Sequence, residues 1–261
     1  MKMLKFMLSA LIGLLPQLSL ANPLHITGHF DLGQQQITGF MQTPMGGTLG
    51  TTSFQRPSFA ELDYYQDPTY SWGLGGQWYD YQLYLSHQKL MPATTHILTY
   101  PLISHNQHLA ADQELSVNTR FSWYHLTLAK EYAPLLKHNL VLSPQVTTNL
   151  VQYRYQFSTT QQGSIRQFNF SNLNLGLLAK YHWNAHWSTQ LHIQHTLPLF
   201  NSSITEGHIQ INYVVHNANM QLSPYLNLYG LTLEMKDKQR VPNHICYRVK
   251  AGLKIGLMLQ W

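Results

Sequence analysis

VKAGLKIGLMLQW, residues 249–261, places an apolar side chain at every second position: Val249, Ala251, Leu253, Ile255, Leu257, Leu259 and Trp261. Tyr247 and Ile245 extend the series upstream, and Cys246, Arg248, Lys250, Gly252, Lys254, Gly256, Met258 and Gln260 fill the gaps. A period of two is the repeat of a β-strand with one face in apolar surroundings. The alternation recurs along the chain. Tyr70, Trp72, Leu74 and Trp78 form one such set; Leu115, Val117, Thr119 and Phe121 another; Leu173, Leu175 and Leu177, then Ile209, Ile211 and Tyr213, two more. Helical periodicity is missing after Asn22, and the nearest candidate, EYAPLLKHNLVL (131–142), is interrupted by Pro134.

The composition fits strands in an unusual solvent. Only 10% of the 261 residues are charged, against about 25% in ordinary soluble domains. Aromatics reach 12%, and amides, hydroxyls and histidines occupy the polar positions. This is too apolar and too weakly charged for a disordered chain. The opening MKMLKFMLSALIGLLPQLSLAN has Lys2 and Lys5, an apolar stretch from Phe6 to Leu15 and a Ser19-Leu20-Ala21 cleavage pattern. It reads as a secretory signal peptide over 1–21, leaving 22–261 as the folded domain. Removal takes two lysines and leaves 14 basic against 11 acidic residues, a net of +3. That is too mild and too scattered for a nucleic-acid partner. Cys246 stands alone, so no internal disulfide is expected and the thiol reads as structural.

Segmenting the alternation predicts twelve strands, with ten as the second count. The uncertain places are 24–44, which is irregular, and 139–157, where the apolar set changes phase. There Leu140, Leu142 and Val146 give way to Val151, Tyr153 and Tyr155. The change reads as a turn at Ser143-Pro144-Gln145, although a bulge in one long strand would also produce it. Short links are predicted at 78–81, 121–124, 183–187 and 216–219, and long surface loops near 45–67 and 91–111. Short turns on one side and long loops on the other, with Trp and Tyr at strand ends, are features of a membrane barrel.

The terminal segment resembles the C-terminal strand of Gram-negative outer-membrane β-barrel proteins. Trp261 takes the place of the terminal aromatic, where the family usually has Phe, and Leu253, Ile255, Leu257 and Leu259 take the alternate apolar sites. The resemblance implies an assembly signal read by the barrel-assembly machinery, and a last strand that closes against the first. It implies an all-β fold, a closed antiparallel transmembrane β-barrel in the cell outer membrane, with outer-membrane lipid around it and no cofactor. The competing fold is an exported soluble β-sandwich binding protein, whose strands also alternate but whose outside is charged.

The expected function is a structural or porin-like channel protein, admitting small solutes if open, with a mildly basic lumen. Arg120, Lys180, Arg248, Lys250 and Lys254 are predicted to line it, against Asp80 and Glu114. The alternative is an outer-membrane lipid acyl hydrolase, since enzymes of that class use a His-x-Ser pair. Here that pair is His186 and Ser188, beside a predicted short turn and without an evident orienting group. No metal site is expected: His192 and His195 point to opposite faces of a strand, and His105 and His108 lie in a loop without a third ligand. The Gly46, Gly47 and Gly50 segment lacks the Lys-Ser/Thr of a phosphate loop and reads as a structured loop at the barrel mouth.

Overall fold

Alternation becomes strand over most of the chain because a strand with one apolar face is stable only beside other strands that share its two environments. The computed structural model describes residues 24–42, 58–60, 62, 66–91, 93–99, 101–104, 107–135, 139–217, 220–236 and 243–261. The expected signal peptide and the Gly-rich segment lie outside the described residues. Fifteen strands form among those described. They are β1 (His25–Gln42), β2 (Gln66–Trp78), β3 (Tyr81–Leu90), β4 (Ala93–Ile97), β5 (Leu102–Ser104), β6 (Gln107–Leu109), β7 (Glu114–Lys130) and β8 (Tyr132–Leu135). After them come β9 (Leu140–Ser158), β10 (Gly163–His182), β11 (Trp187–Thr196), β12 (Ser202–Tyr213), β13 (Val215–Asn217), β14 (Met220–Lys236) and β15 (His244–Gln260).

Ten of these close a barrel in the circular order β1, β2, β3, β7, β9, β10, β11, β12, β14, β15, every neighbouring pair antiparallel. The rest are extensions. β4 pairs with β7 in the register of β3, so Leu90 faces Phe121 and Ala93 faces Asn118. β8 and β13 continue β7 and β12 along their neighbours, and β5 with β6 forms a hairpin apart. Closure is made by the seam predicted from the terminal segment: Phe30 opposes Leu257 and Leu32 opposes Ile255. The Ile26 and Trp261 backbones then exchange two hydrogen bonds, of 2.9 and 3.0 Å.

The closed antiparallel barrel is as expected, with the second strand count rather than the first. No turn occurs at 121–124, where β7 runs through Ser122 and Trp123. Neither a turn nor a bulge occurs at 143–145. β9 pairs with β10 from Leu140–Tyr181 to Ser158–Gly163 without a break. Turns do form between β2 and β3, where Tyr79 has φ 53°, and between β10 and β11, while Asn217 of β13 pairs with Met220 of β14. These lie at the same end as Ile26 and Trp261, here the turn end, as does the link from β7 through β8 to β9; the connections after β1, β3, β9, β11 and β14 share the loop end.

The outside of the turn-end half is an apolar belt to which all ten barrel strands contribute. Exposed there are Leu32, Leu74, Leu85, Leu128, Val146, Leu177, Ile193, Ile209, Leu228 and Ile255, one from each strand, with others beside them. Tyr79, Tyr81, Tyr181, Trp183, Trp187, Tyr213 and Trp261 form its lower edge, also exposed. In the loop-end half the pattern inverts. Ile37, Leu115, Phe121, Tyr153, Tyr155, Leu233 and Tyr247 point inward and are fully or nearly fully buried, while Arg120, Arg154 and Arg248 point outward. Phe59 and Leu62, from the connection after β1, complete this interior core, each 0% exposed. The Phe59 amide donates to the Gly39 carbonyl at 3.1 Å. A Cβ at Gly39 would strike the Cys246 carbonyl, and its φ of 127° suits glycine alone.

Candidate functional site in the barrel interior

Below the apolar core the interior is polar, and two networks fill it. The first centres on Asp31 of β1, 4% exposed. Alternation turns His29, Asp31 and Gln35 inward while Phe30 and Leu32 face out. Ser71 donates to Asp31 Oδ1 at 2.5 Å and the Tyr225 hydroxyl donates to Oδ2 at 3.0 Å. Lys254 Nζ lies 3.6 Å from Oδ1, donates to Gln88 Oε1 at 3.2 Å, and sits 4.8 Å from the centre of the Tyr229 ring. Gln35 bridges upward, donating to the Tyr247 hydroxyl and accepting from the Tyr229 hydroxyl. A buried carboxylate with a cation and two hydroxyl donors is a satisfied ion pair.

Aromatic rings are seated on glycines throughout this layer. A Cβ on Gly256 would overlap the Tyr225 ring, one on Gly252 the Tyr229 ring, and one on Gly73 or Gly75 the Tyr84 ring. Each ring lies across its neighbouring strand, and the missing side chain is what admits it.

The second network occupies the opposite wall. Glu206 of β12 accepts from Gln194 at 2.8 Å, and its charge is felt by His125, His192 and His208. The His192 and His208 rings are 4.7 Å apart, and among the described residues neither nitrogen of His192 has a hydrogen-bond partner. Trp123 donates to Asn149, Asn149 to Asn172 and Asn172 to Ser202, at 3.3, 2.9 and 3.2 Å, tying β7, β9, β10 and β12 together. Among the described residues no three His, Cys, Asp or Glu are placed to hold a metal ion. At the loop-end tip an open hollow of about 430 Å³ is lined by Thr94, Thr95, Ser116, Asn118, Gln156 and Ser158 among others.

The residues predicted to line the lumen divide. Lys254 lies inside as described, and Lys180 faces inward near the turn end, where it feels the charge of Glu131. Arg120, Arg248, Lys250 and Glu114 are exposed on the outer wall instead, and Asp80 is exposed in the turn after β2. For Arg120 and Glu114 the reason is the inversion: the apolar set of β7 faces the interior core, so its polar set faces out. For Arg248 and Lys250 it is a bulge in β15, where Gln36 opposes Ala251 but Ile37 opposes Val249. The bulge sends Val249, Tyr247 and Ile245 inward, so the alternation runs unbroken in sequence but changes side in space. The lumen is therefore not a basic surface: Lys254 and Lys180 face the interior acids Asp31, Glu206 and Glu131. The irregularity of 24–44 as a whole hides Asp31, although Phe30 and Leu32 alternate with His29 and Asp31 there.

His186 and Ser188 do not form a pair. His186 lies in the turn at the turn end, its Nδ1 3.0 Å from the Val214 carbonyl oxygen. Ser188 faces inward and accepts from Asn212 at 3.4 Å. Among the described residues no hydrogen bond joins the two.

No protein-family model matches the sequence, nor does any curated protein. The structure is similar to the outer-membrane protease OmpT of Escherichia coli, with a TM-score of 0.54 at 8% identity, over 91% of this chain and 97% of that one. Looser likenesses are the transport unit of the autotransporter AIDA-I from Escherichia coli (TM-score 0.43, 8% identity, 93% and 91% covered) and Ail of Yersinia pestis (TM-score 0.36, 8% identity, 90% and 99% covered). At these identities the likeness concerns the fold.

Proposed function

We propose that the chain is an integral outer-membrane β-barrel with a structural role, closed to solutes and presenting its loop end at the membrane surface. The membrane reading is supported by the apolar belt, which encircles the barrel instead of forming one patch. A water-soluble protein rarely leaves more than a few hundred Å² of contiguous apolar surface bare. The aromatic edge at the turn end, the terminal strand signature and the low charge agree with it. Lipid would cover the belt, and the assembly machinery would read Leu253 to Trp261.

The observation that carries the closed state is the interior core of the loop-end half. Phe59, Leu62, Phe121, Tyr153 and Tyr247 are each no more than 1% exposed and lie across the path a solute would take. Refolded protein in a planar bilayer is expected to give no stable conductance steps. Replacing Phe59 and Leu62 together with glycine is expected to introduce leak current. Steady single-channel conductance from the wild-type protein would overturn the closed reading in favour of the porin-like one. The acyl-hydrolase reading finds no support in the separated His186 and Ser188.

A further inference from the structure

Among the described residues, the outer wall of the loop-end half carries cations without an acidic partner. Arg120 of β7 and Arg154 of β9 are direct cross-strand partners. Their neighbours Thr119, Phe121, Tyr153 and Tyr155 are all buried and inward, so both guanidinium groups project outward, and both residues are exposed. Lys89 of β3 faces Ser122 of β7, one outward position from Arg120, and so joins them on the same wall. Among the described residues neither arginine has a hydrogen bond or an ion pair. Asp31, Glu131 and Glu206 face the interior, and Glu114 stands six residues farther along β7.

Like charges directly opposite each other in a sheet destabilise it, and opposed Cβ atoms are only about 5 Å apart. A fold that places two unneutralised arginines this way gains stability when an anion binds between them. Two guanidinium forks and an ammonium match the oxygens of a phosphate, which accepts such paired donors bidentately. Ser122 and Gln152, opposite each other one outward step below, supply neutral hydrogen-bonding groups.

Position selects the source of the phosphate. Tyr124, the next outward residue below Ser122, is stacked on His87 at 4.5 Å and stands at the loop-end edge of the apolar belt with Trp72. Arg120 is four residues beyond Tyr124, about 13 Å along the strand. On a strand tilted about 40° this is roughly 10 Å of height, which puts a side chain as long as arginine within reach of a headgroup layer about 5–8 Å deep. We propose that Lys89, Arg120 and Arg154 hold the phosphate of an anionic lipid headgroup in the leaflet surrounding the loop end. The inference rests on the membrane reading above.

The test uses the full chain refolded into nanodiscs of phosphatidylcholine, with and without phosphatidic acid. Thermal unfolding is followed by heat-modifiable gel mobility, and bound lipid by mass spectrometry. Phosphatidic acid is expected to raise the wild-type melting temperature and to co-purify above its bulk fraction. In R120Q/R154Q the enrichment is expected to fall about tenfold, the scale of losing charge-assisted hydrogen bonds. In pure phosphatidylcholine that variant is expected to be as stable as wild type or more so, because the repulsion is gone. R248Q, on a different part of the wall, is the control and should behave as wild type. Equal enrichment in wild type and R120Q/R154Q overturns the proposal. So does an equal melting shift from inorganic phosphate in pure phosphatidylcholine, which would mean the anion is not a lipid. Protein that never enters nanodiscs and shows no heat-modifiable mobility sinks the membrane reading; protein that enters without lipid preference sinks the headgroup site alone.

Discussion

Lys254 and Asp31 are the two residues on which the interior turns. Each is more than 90% buried, and each supplies what the other lacks. Replacing Lys254 with methionine leaves the Asp31 carboxylate buried without its cation, a loss on the order of 3–5 kcal/mol. The double change Asp31→Asn with Lys254→Met is expected to recover much of it. Urea unfolding in detergent micelles checks both, and equal stability of K254M and wild type would show that the pair is not coupled. Gly256→Ala forces the Tyr225 ring from its seat and is expected to cost about 1–3 kcal/mol by overpacking, measured the same way. Lys254 was legible in the sequence as an interior residue because Leu253 and Ile255 flank it on the lipid-facing phase. Asp31 was legible too once Phe30 and Leu32 are read as its outward neighbours. Its partners Ser71 and Tyr225 were not, since nothing in a single strand says which residue of another strand it will face.

On the membrane reading proposed above, strands that leave the bilayer exchange an apolar outside for an apolar inside, and this protein inverts its faces in two ways. In β9 the sequence itself changes phase. Val146 is outward, Val151 and Tyr153 are inward, and the strand continues without irregularity. In β15 the sequence keeps one phase and the backbone shifts through the bulge at Lys250 and Ala251. Alternation alone does not distinguish the two cases, because it reports a two-sided strand without reporting which side is inside. Periodicity by itself therefore points Arg120, Arg248 and Lys250 into the lumen and puts a turn at Ser143-Pro144-Gln145. Deleting Lys250 alone removes the bulge but leaves Gln36 opposite Ala251 and Ile37 opposite Val249, so Val249, Tyr247 and Ile245 stay inward and the heat-modifiable folded form is expected to persist. Deleting Lys250 together with Ala251 removes one residue more than the bulge holds, turns those three side chains outward and is expected to abolish the folded form. Similar folding of the double deletion would show that β15 tolerates either register.

At the scale of the whole molecule, closure depends on a single seam. Removing Leu257 to Trp261 deletes the pairing of β15 with Thr27 to Phe30 and with Gln221 to Pro224, and the two backbone bonds between Ile26 and Trp261. An open edge within the hydrocarbon layer leaves backbone polar groups without partners. The truncated chain is therefore expected to fail in membrane insertion, assayed by resistance of the folded band to protease. Normal insertion would argue against the membrane barrel itself. This much of the molecule was legible from its last thirteen residues, because the terminal strand carries an exposed apolar face and pairs with the first strand. The interior core was not, since Phe59 and Leu62 come from a connection with no periodicity of its own.

The inversion along β7 and β9, where no bulge absorbs it, means that one strand obeys two opposite substitution rules. At Leu128 a polar replacement faces lipid and hinders insertion, while the inward Thr127 beside it tolerates polar exchange. Only a few residues further on, Arg120 can be exchanged for other polar residues, while a polar residue at Phe121 would open the buried core. A tolerance map measured on the turn-end half and shifted by one residue would describe the loop-end half, and the position at which it slips would locate the membrane surface residue by residue.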